Sequence, residues 1–403
     1  MFFTLALKSL LDRRASVVLA IIAMTISLVV LLTVEQIRHQ AKDSFASTVS
    51  GVDLIVGART GHLNLLMYSI FRIGTPTNNI RWETYQAFAD HELVDWTIPL
   101  SLGDSHQGFR VLGTTQDYFR YYQYGQQRTL TFSAGHVFRQ TLDVVLGADV
   151  ARQLNYQPGD TLVLAHGIGR TSFSQHSDQP FTVTGILAPT GTPVDQTLHV
   201  SLQGIEAIHA NGQWSAQKTN FDIDLKPEIT AFMVGVTSKL SIFSLQRSIN
   251  NYTDEPLSAI LPGVTLTELW QAMSLLEDTL RIISILVFVA ACLGVSAMLL
   301  SSMRERREEL RLLRAIGASP AYLFWLIELE ALLITLVSSV AAVLLLTLGF
   351  TIAENYFLSA GLVLEFSLLD LNTLKLLAII VFISASVAAI PSIQSYRQSV
   401  AIQ

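Results

Sequence analysis

Residues 303–320 read MRERREELRLLRAIGASP, and they join two apolar runs, Ile282–Met303 and Ala331–Ala353, that hold no Asp, Glu, Lys or Arg. Two further uncharged runs, Ala15–Val34 and Leu376–Tyr396, lie towards the ends of the chain. Each of the four has at least 20 residues. At about 1.5 Å of helical rise per residue, 20 residues cover the roughly 30 Å hydrocarbon core of a bilayer. A helix buried in a soluble core seldom needs so long a run, so four transmembrane helices are predicted. Composition agrees: the 403 residues are 50% hydrophobic and 14% charged, against about 25% charge in soluble domains.

Arginine placement sets the orientation. Lys8, Arg13 and Arg14 precede the first run, five arginines between Arg304 and Arg314 separate the second from the third, and Arg397 follows the fourth. Positive charge gathers on the cytoplasmic side of a membrane protein. Both termini and the charged stretch are therefore predicted to be cytoplasmic, and Glu35 to about Leu280 to lie outside. The first run resembles a signal peptide in its basic flank. It is longer than the usual apolar core of about 7–15 residues and has no A-x-A-like site, so a retained anchor is expected.

The expected organisation is an amphipathic helix over 1–14, the first span over 15–34 and an extracytoplasmic α+β domain over 35–280. That domain is open to division into two subdomains, with about 107–190 inserted in the other. The second span follows over 282–303, a charged cytoplasmic helix and turn over 304–319 and the third span over 322–353. An external loop over 354–375, the fourth span over 376–396 and a cytoplasmic tail over 397–403 complete the chain. The first 14 residues set Phe2, Phe3, Leu5, Ala6, Leu7, Leu10 and Leu11 against Lys8, Asp12, Arg13 and Arg14. They suit a helix along the inner membrane surface or an extension of the first span.

Within the external region, Val52–Val56, Val144–Leu146, Thr161–Ala165, Phe181–Leu187 and Ala231–Val236 read as strands. Arg81–His91, Ala148–Leu154 and Ile242–Ile249 read as helices, and Pro158-Gly159-Asp160 as a turn. Gly167–Gln179 reads as a polar loop. Thr265–Arg281 reads as a helix running directly into the second span. The aromatic cluster Tyr118, Phe119, Tyr121, Tyr122 and Tyr124 fits core packing better than contact with an apolar cargo.

Several chemistries lack their residues. There is no G-x-S-x-G, and His91-Glu92 lacks the second histidine of H-E-x-x-H. His166 and His176 flank the polar loop without further ligands at metal spacing. A net charge of −6 gives no basic field for nucleic acid. Cys292, the single cysteine, lies within the second run, so the external region has no disulfide.

The charged stretch is built for stiffness. Arg304 to Ala315 are strong helix formers, and Arg304/Glu308 and Glu308/Arg311 sit at supporting i,i+4 and i,i+3 spacings. Leu310, Leu313 and Ile316 form an apolar stripe, and Arg311 and Arg314 suit the negative end of the helix dipole. Gly317 suits a left-handed cap, and Ser319-Pro320 an N-cap and first residue of the next helix. A loop that only fixed topology would need arginines but no interleaved glutamates, apolar stripe or capped corner. Glu328 and Glu330, near the start of the third span, are expected to sit at the membrane interface and pair with Arg306, Arg307 or Arg314.

One span, a large external domain, then three spans with an Arg/Glu-rich helix ending in LRAIGAS resembles the FtsX/MacB-like ABC transporter permeases, the type VII ABC transporter superfamily. The resemblance covers essentially the whole chain. MRERREELRLLRAIGAS is similar to the family's cytoplasmic motif. VVLGADVARQLNYQPGDTLVLAHG (144–167) followed by FTVTGIL (181–187) is similar to its external-domain pattern, and IPSIQSYRQS (390–399) to its closing segment. Glu330-Ala331 also matches a pair the family tends to carry. VDLIVGARTGHLNLLMYSIFRIGTPTNNI (52–80) resembles a subgroup near the haem-exporter and glycolipid-exporter permeases, which leaves the cargo open.

The resemblance implies an α-helical membrane protein with a MacB-like periplasmic core between helices 1 and 2, in the inner membrane. It implies a homodimer above a dimer of a separate ABC ATPase, gripped through Arg304, Glu305, Glu308, Arg311, Arg314, Gly317, Ala318 and Ser319. The chain has no Gly-Lys pair and hence no P-loop. It is therefore expected to be no enzyme and to hold no cofactor, with ATP and Mg²⁺ bound by the partner. ATP-driven export or extraction of a hydrophobic or envelope-associated cargo is the expected function. An FtsX-like scaffold activating an envelope enzyme and Lol-like lipoprotein extraction stand as alternatives, and a periplasmic adaptor is left open.

Overall fold

The computed structural model describes residues 2–48, 50–166, 179–209, 227–305, 312, 315, 317–359 and 371–400. Outside them lie most of the charged stretch, the polar loop but for Gln179, residues 360–370 of the expected external loop and the last three residues of the tail. The chain divides into two compact units, one helical and one built on a sheet.

The helical unit draws on a short N-terminal helix, Phe2–Asp12, and four long apolar ones: Arg14–Thr48, Pro262–Glu305, Pro320–Ser359 and Leu371–Val400. All four are long and apolar enough to cross a membrane. Arg13 alone separates the N-terminal helix from the first long one. The expected helix over Thr265–Arg281 and the second span form one unbroken element. Met24, Leu28, Phe288, Cys292, Ala342 and Ile380 pack in one buried cluster, and Val17, Val295, Leu299, Ile327, Ile334 and Ala388 in a second. Hydroxyls bond between helices: Thr335 Oγ1 lies 2.5 Å from Ser384 Oγ, and Ser338 Oγ donates to the Ile21 carbonyl at 3.3 Å. In an apolar solvent such contacts and close packing hold helices together, because burying apolar surface gains nothing against lipid tails. The outward faces carry Leu286, Leu344 and Phe382, each more than 60% exposed, which suits lipid.

The second unit is α+β. Its strands in chain order are β1 (Leu54–Ala58), β2 (Val94–His106), β3 (Phe109–Thr114), the small hairpin β4–β5 (Gln123–Tyr124, Arg128–Thr129), β6 (Phe132–Gly135) and β7 (Asp143–Leu146). There follow β8 (Thr161–Leu162), β9 (Ala165–His166), β10 (Phe181–Leu187), β11 (Thr197–Ser201), β12 (Ala231–Val236) and β13 (Leu257–Ile260). One mixed sheet runs β13-β1-β12-β2-β3-β11-β7-β10-β6, with β8 on β10 and β9 on β2. β3 pairs with β11, and β7 with β10, in parallel; the other pairings are antiparallel.

The 13-residue β2 is the shared strand. Its Val94–Leu100 half pairs with β12 and its Ser101–His106 half with β3. The β2–β3 turn places Gln107 at φ 48° and Gly108 at φ 93°. Two positive φ values are what a two-residue hairpin turn needs to match strand twist. β1, β7, β11 and β12 are buried at every residue, as expected of strands covered on both faces. Gly235 of β12 lies opposite Trp96 of β2. A Cβ there would come within 2.2 Å of the indole, which instead stacks on Tyr121 at 5.3 Å.

The strands at Phe181–Leu187 and Ala231–Val236 and the helix Ala148–Leu154 lie where the sequence places them. The first strand is displaced to Leu54–Ala58, because Gly57 and Ala58 pair with Ser258 and Leu257 and the bare Gly57 makes room for Leu65 and Tyr68. The strand expected over Thr161–Ala165 divides into β8 and β9, which pair with different neighbours. Tyr118, Phe119 and Tyr122 are buried in the main core with Phe138, Ile98 and Leu112, so the aromatic cluster is structural packing.

Candidate functional site

The corner that opens the third apolar helix is formed as its residues dictate. Gly317 has φ 102°, a conformation that L side chains rarely adopt. Ser319 is the N-cap: the Tyr322 N–H donates to Ser319 Oγ at 3.2 Å, and Pro320 takes the first helical position. This bond satisfies one of the N–H groups that every helix start leaves open. Ala318 is half-buried and Ser319 exposed. On the other side, Arg304 and Glu305 close the second apolar helix. Glu308, Arg311 and Arg314 lie outside the described residues.

Two turns into the third helix stand Glu328 and Glu330, 5% and 3% exposed. Two positions is about 200° around a helix, so the carboxylates face different neighbours. Glu330 accepts a short hydrogen bond from the Ser9 hydroxyl and lies 3.4 Å from Arg13 Nη2. Arg13 Nη2 also donates to Ser9 Oγ at 2.9 Å, closing a triangle. Glu328 Oε2 lies 3.1 Å from Ser392 Oγ on the fourth helix. The two carboxylates thus tie the third helix to the N-terminal helix on one side and to the fourth on the other. Arg306, Arg307 and Arg314, the partners expected from sequence, lie outside the described residues. Ser9 and Ser392 were not legible as partners; the available signal was the i,i+4 spacing of Ser9 and Arg13 on one helical face.

The sheet unit holds its own buried polar groups. His199, on β11, is fully buried, and neither ring nitrogen makes a hydrogen bond of ordinary geometry. Burial holds its pKa down to about 3, and the positive charge of Arg72 adds to this. Tyr118 and Phe119 flank its ring at 5.1 and 5.8 Å, and burial pushes the Tyr118 phenol up to about 12. Asp104, 2% exposed, meets His209 Nε2 at 3.5 Å, and by accepting a hydrogen bond from the ring this carboxylate raises the His209 pKa. His106 contacts the Val163 carbonyl at 2.7 Å and the Tyr156 hydroxyl at 3.0 Å, and burial lowers its pKa. Of these histidines, His106 is held inside the fold by a carbonyl and a hydroxyl, His209 is an exposed residue paired with a buried carboxylate, and His199 is enclosed by aromatic rings. Among the described residues no three of His, Cys, Asp and Glu are grouped to hold a metal.

Residues 16–252 match the family model of the MacB-like periplasmic core domain, and residues 281–400 that of the FtsX-like permease C-terminal region. The crystal structure of the periplasmic region of MacB from Actinobacillus actinomycetemcomitans is similar at 11% identity and a TM-score of 0.37. That likeness covers 55% of this chain and 94% of the other. No curated protein matches.

Proposed function

The chain belongs to the FtsX-like permeases that carry a MacB-like periplasmic core domain, ABC transporter components of the membrane, and from that premise we propose how it works. The four apolar helices cross the inner membrane with both termini and residues 304–319 in the cytoplasm. The sheet unit lies on the periplasmic side, between the first and second spans. A separate ATPase dimer, which supplies the ATP and Mg²⁺ sites, grips the charged stretch through Arg304, Glu305, Glu308, Arg311 and Arg314. ATP binding closes that dimer, the stretch moves, and the second and third spans carry the motion to the periplasmic domains of a permease dimer. The chain itself catalyses nothing, and the work done is export or extraction of a hydrophobic or envelope-associated cargo.

The observation that carries this reading is the capped corner at Gly317, Ala318 and Ser319. A positive-φ glycine followed by a satisfied N-cap and a proline fixes how the backbone enters the third helix. Displacement of the stretch then reaches that helix instead of dissipating in a loose linker. The buried ties of Glu328 and Glu330 extend the motion to the fourth and N-terminal helices.

The test is Arg311→Glu combined with Arg314→Glu in the complex reconstituted with its ATPase. Co-purification of the ATPase, or the stimulation of its hydrolysis by the permease, should fall at least tenfold. Unchanged binding together with unchanged stimulation would show that the grip lies elsewhere.

A further inference from the structure

At one end of the helical unit the first, second and fourth apolar helices enclose a cavity of about 470 Å³. Its walls are apolar, with Leu31, Phe288, Ile379 and Ile380 among them, and Arg281 and Lys375 also line it. The volume falls within the range of small-molecule sites, which are mostly apolar with a few placed polar groups. Arg281 immediately precedes the uncharged run Ile282–Met303, and Lys375 immediately precedes Leu376–Tyr396. Both cations therefore stand where charged chain gives way to apolar helix.

Among the described residues the charges are not balanced within the cavity. Glu35, the acidic residue on its wall, lies 3.5 Å from Arg38, which also meets Glu277 at 3.2 Å. Arg281 and Lys375 are exposed, and among the described residues neither makes an ion pair or hydrogen bond. An apolar slot with unpaired cations at the charged-to-apolar boundary matches an amphiphile with an anionic head and a hydrocarbon tail.

We propose that this cavity holds one acyl chain of a bilayer phospholipid with an anionic head group, its phosphate lying between Arg281 and Lys375. The inference rests on the reading that the four helices cross a bilayer. Lipid bound here packs against three of the four spans. Its occupancy therefore bears on how those spans move, which makes the permease sensitive to the anionic lipid content of the membrane around it.

The probe is the full chain with Ile379→Trp, a wall position 53% exposed, in phosphatidylcholine nanodiscs. Brominated phosphatidylglycerol or brominated phosphatidylcholine is titrated in, and the wild-type fluorescence is subtracted. Each basic residue near an anionic lipid strengthens binding about fivefold. Half-quenching by phosphatidylglycerol should therefore come at a mole fraction about 25-fold lower than by phosphatidylcholine. Arg281→Gln with Lys375→Gln, both at exposed positions, should bring the two curves together. Equal quenching in the starting protein, or a preference that survives the double substitution, overturns the proposal. A second reporter, Leu344→Trp on an outward face 62% exposed, separates the two levels. Equal quenching by both lipids there upholds the membrane reading, and no quenching there by either overturns that reading and this proposal with it.

Discussion

Removing one member of the Arg13–Glu330 pair should destabilise the helical unit far more than removing both. Arg13 Nη2 and Glu330 Oε2 are 3.4 Å apart, with side chains 14% and 4% exposed. At an effective dielectric constant of about 20, two unit charges at this distance attract by about 5 kcal/mol. That attraction offsets the cost of taking both ions out of water, so the intact pair contributes little net stability. Glu330→Leu leaves the guanidinium inside the unit with its desolvation uncompensated, and a loss of about 3–5 kcal/mol is expected. Arg13→Met should also cost stability, because the carboxylate keeps the Ser9 hydroxyl but loses the guanidinium. The double variant, apolar and of similar volume, should lie within about 1 kcal/mol of the starting protein. Reversible unfolding by sodium dodecyl sulfate in mixed micelles gives the four stabilities, and the cycle isolates the pairwise term. A coupling below about 0.5 kcal/mol would refute the reasoning, and with it the assignment of this triangle as the tie between the N-terminal and third helices.

Three further outcomes follow from the same geometry. His199 is held neutral by burial, with a pKa of about 3 against about 6.5 in the unfolded chain. The neutral fold is therefore fully stable above about pH 6.5 and loses stability as pH falls towards 3, by about 2 kcal/mol at pH 5. His199→Leu should remove that slope from thermal unfolding followed by tryptophan fluorescence; an unchanged slope counts against the buried neutral imidazole. Ser319→Ala removes the N-cap, worth about 1 kcal/mol, and amide exchange at Tyr322 should quicken about fivefold, whereas unchanged exchange would deny the cap. Gly235→Ala drives a Cβ to within 2.2 Å of Trp96; overpacking of this kind costs about 1–3 kcal/mol. It should also shift the Trp96 emission by disturbing its stack on Tyr121, and neutral behaviour in both would mean that the strand pair yields without strain.

Legibility from sequence tracked the range of the forces involved. The four long apolar helices could be read because the absence of charge over 20 or more residues is a local property with one main physical solution. The capped corner could be read because Gly317, Ser319 and Pro320 act on their own backbone. Phe181–Leu187 could be read because its apolar and polar residues alternate, and its burial alternates with them. The long β2–β3 hairpin was missed. Its turn uses Gln107 ahead of Gly108, a weaker signal than Asn-Gly, and β2 divides its pairing between two neighbours with a register shift between Leu102 and Ser105. The strand at Thr197–Ser201 was missed too: it is five residues long, and it is buried throughout although Thr, His and Ser alternate with Leu and Val.

By itself, then, the sequence determined the number of apolar helices, the charged stretch between the second and third, and the family whose motifs it carries. Each of these depends on composition and spacing along the chain. The tertiary structure decided which groups meet across it. Glu330 meets Ser9 and Arg13 more than 300 residues away, Glu328 meets Ser392, and Arg281 and Lys375 line a cavity shared by three helices. A carboxylate announces in sequence that a buried ion needs a partner. Which partner it finds depends on how helices pack, and packing is a property of surfaces that come together only when the chain has folded.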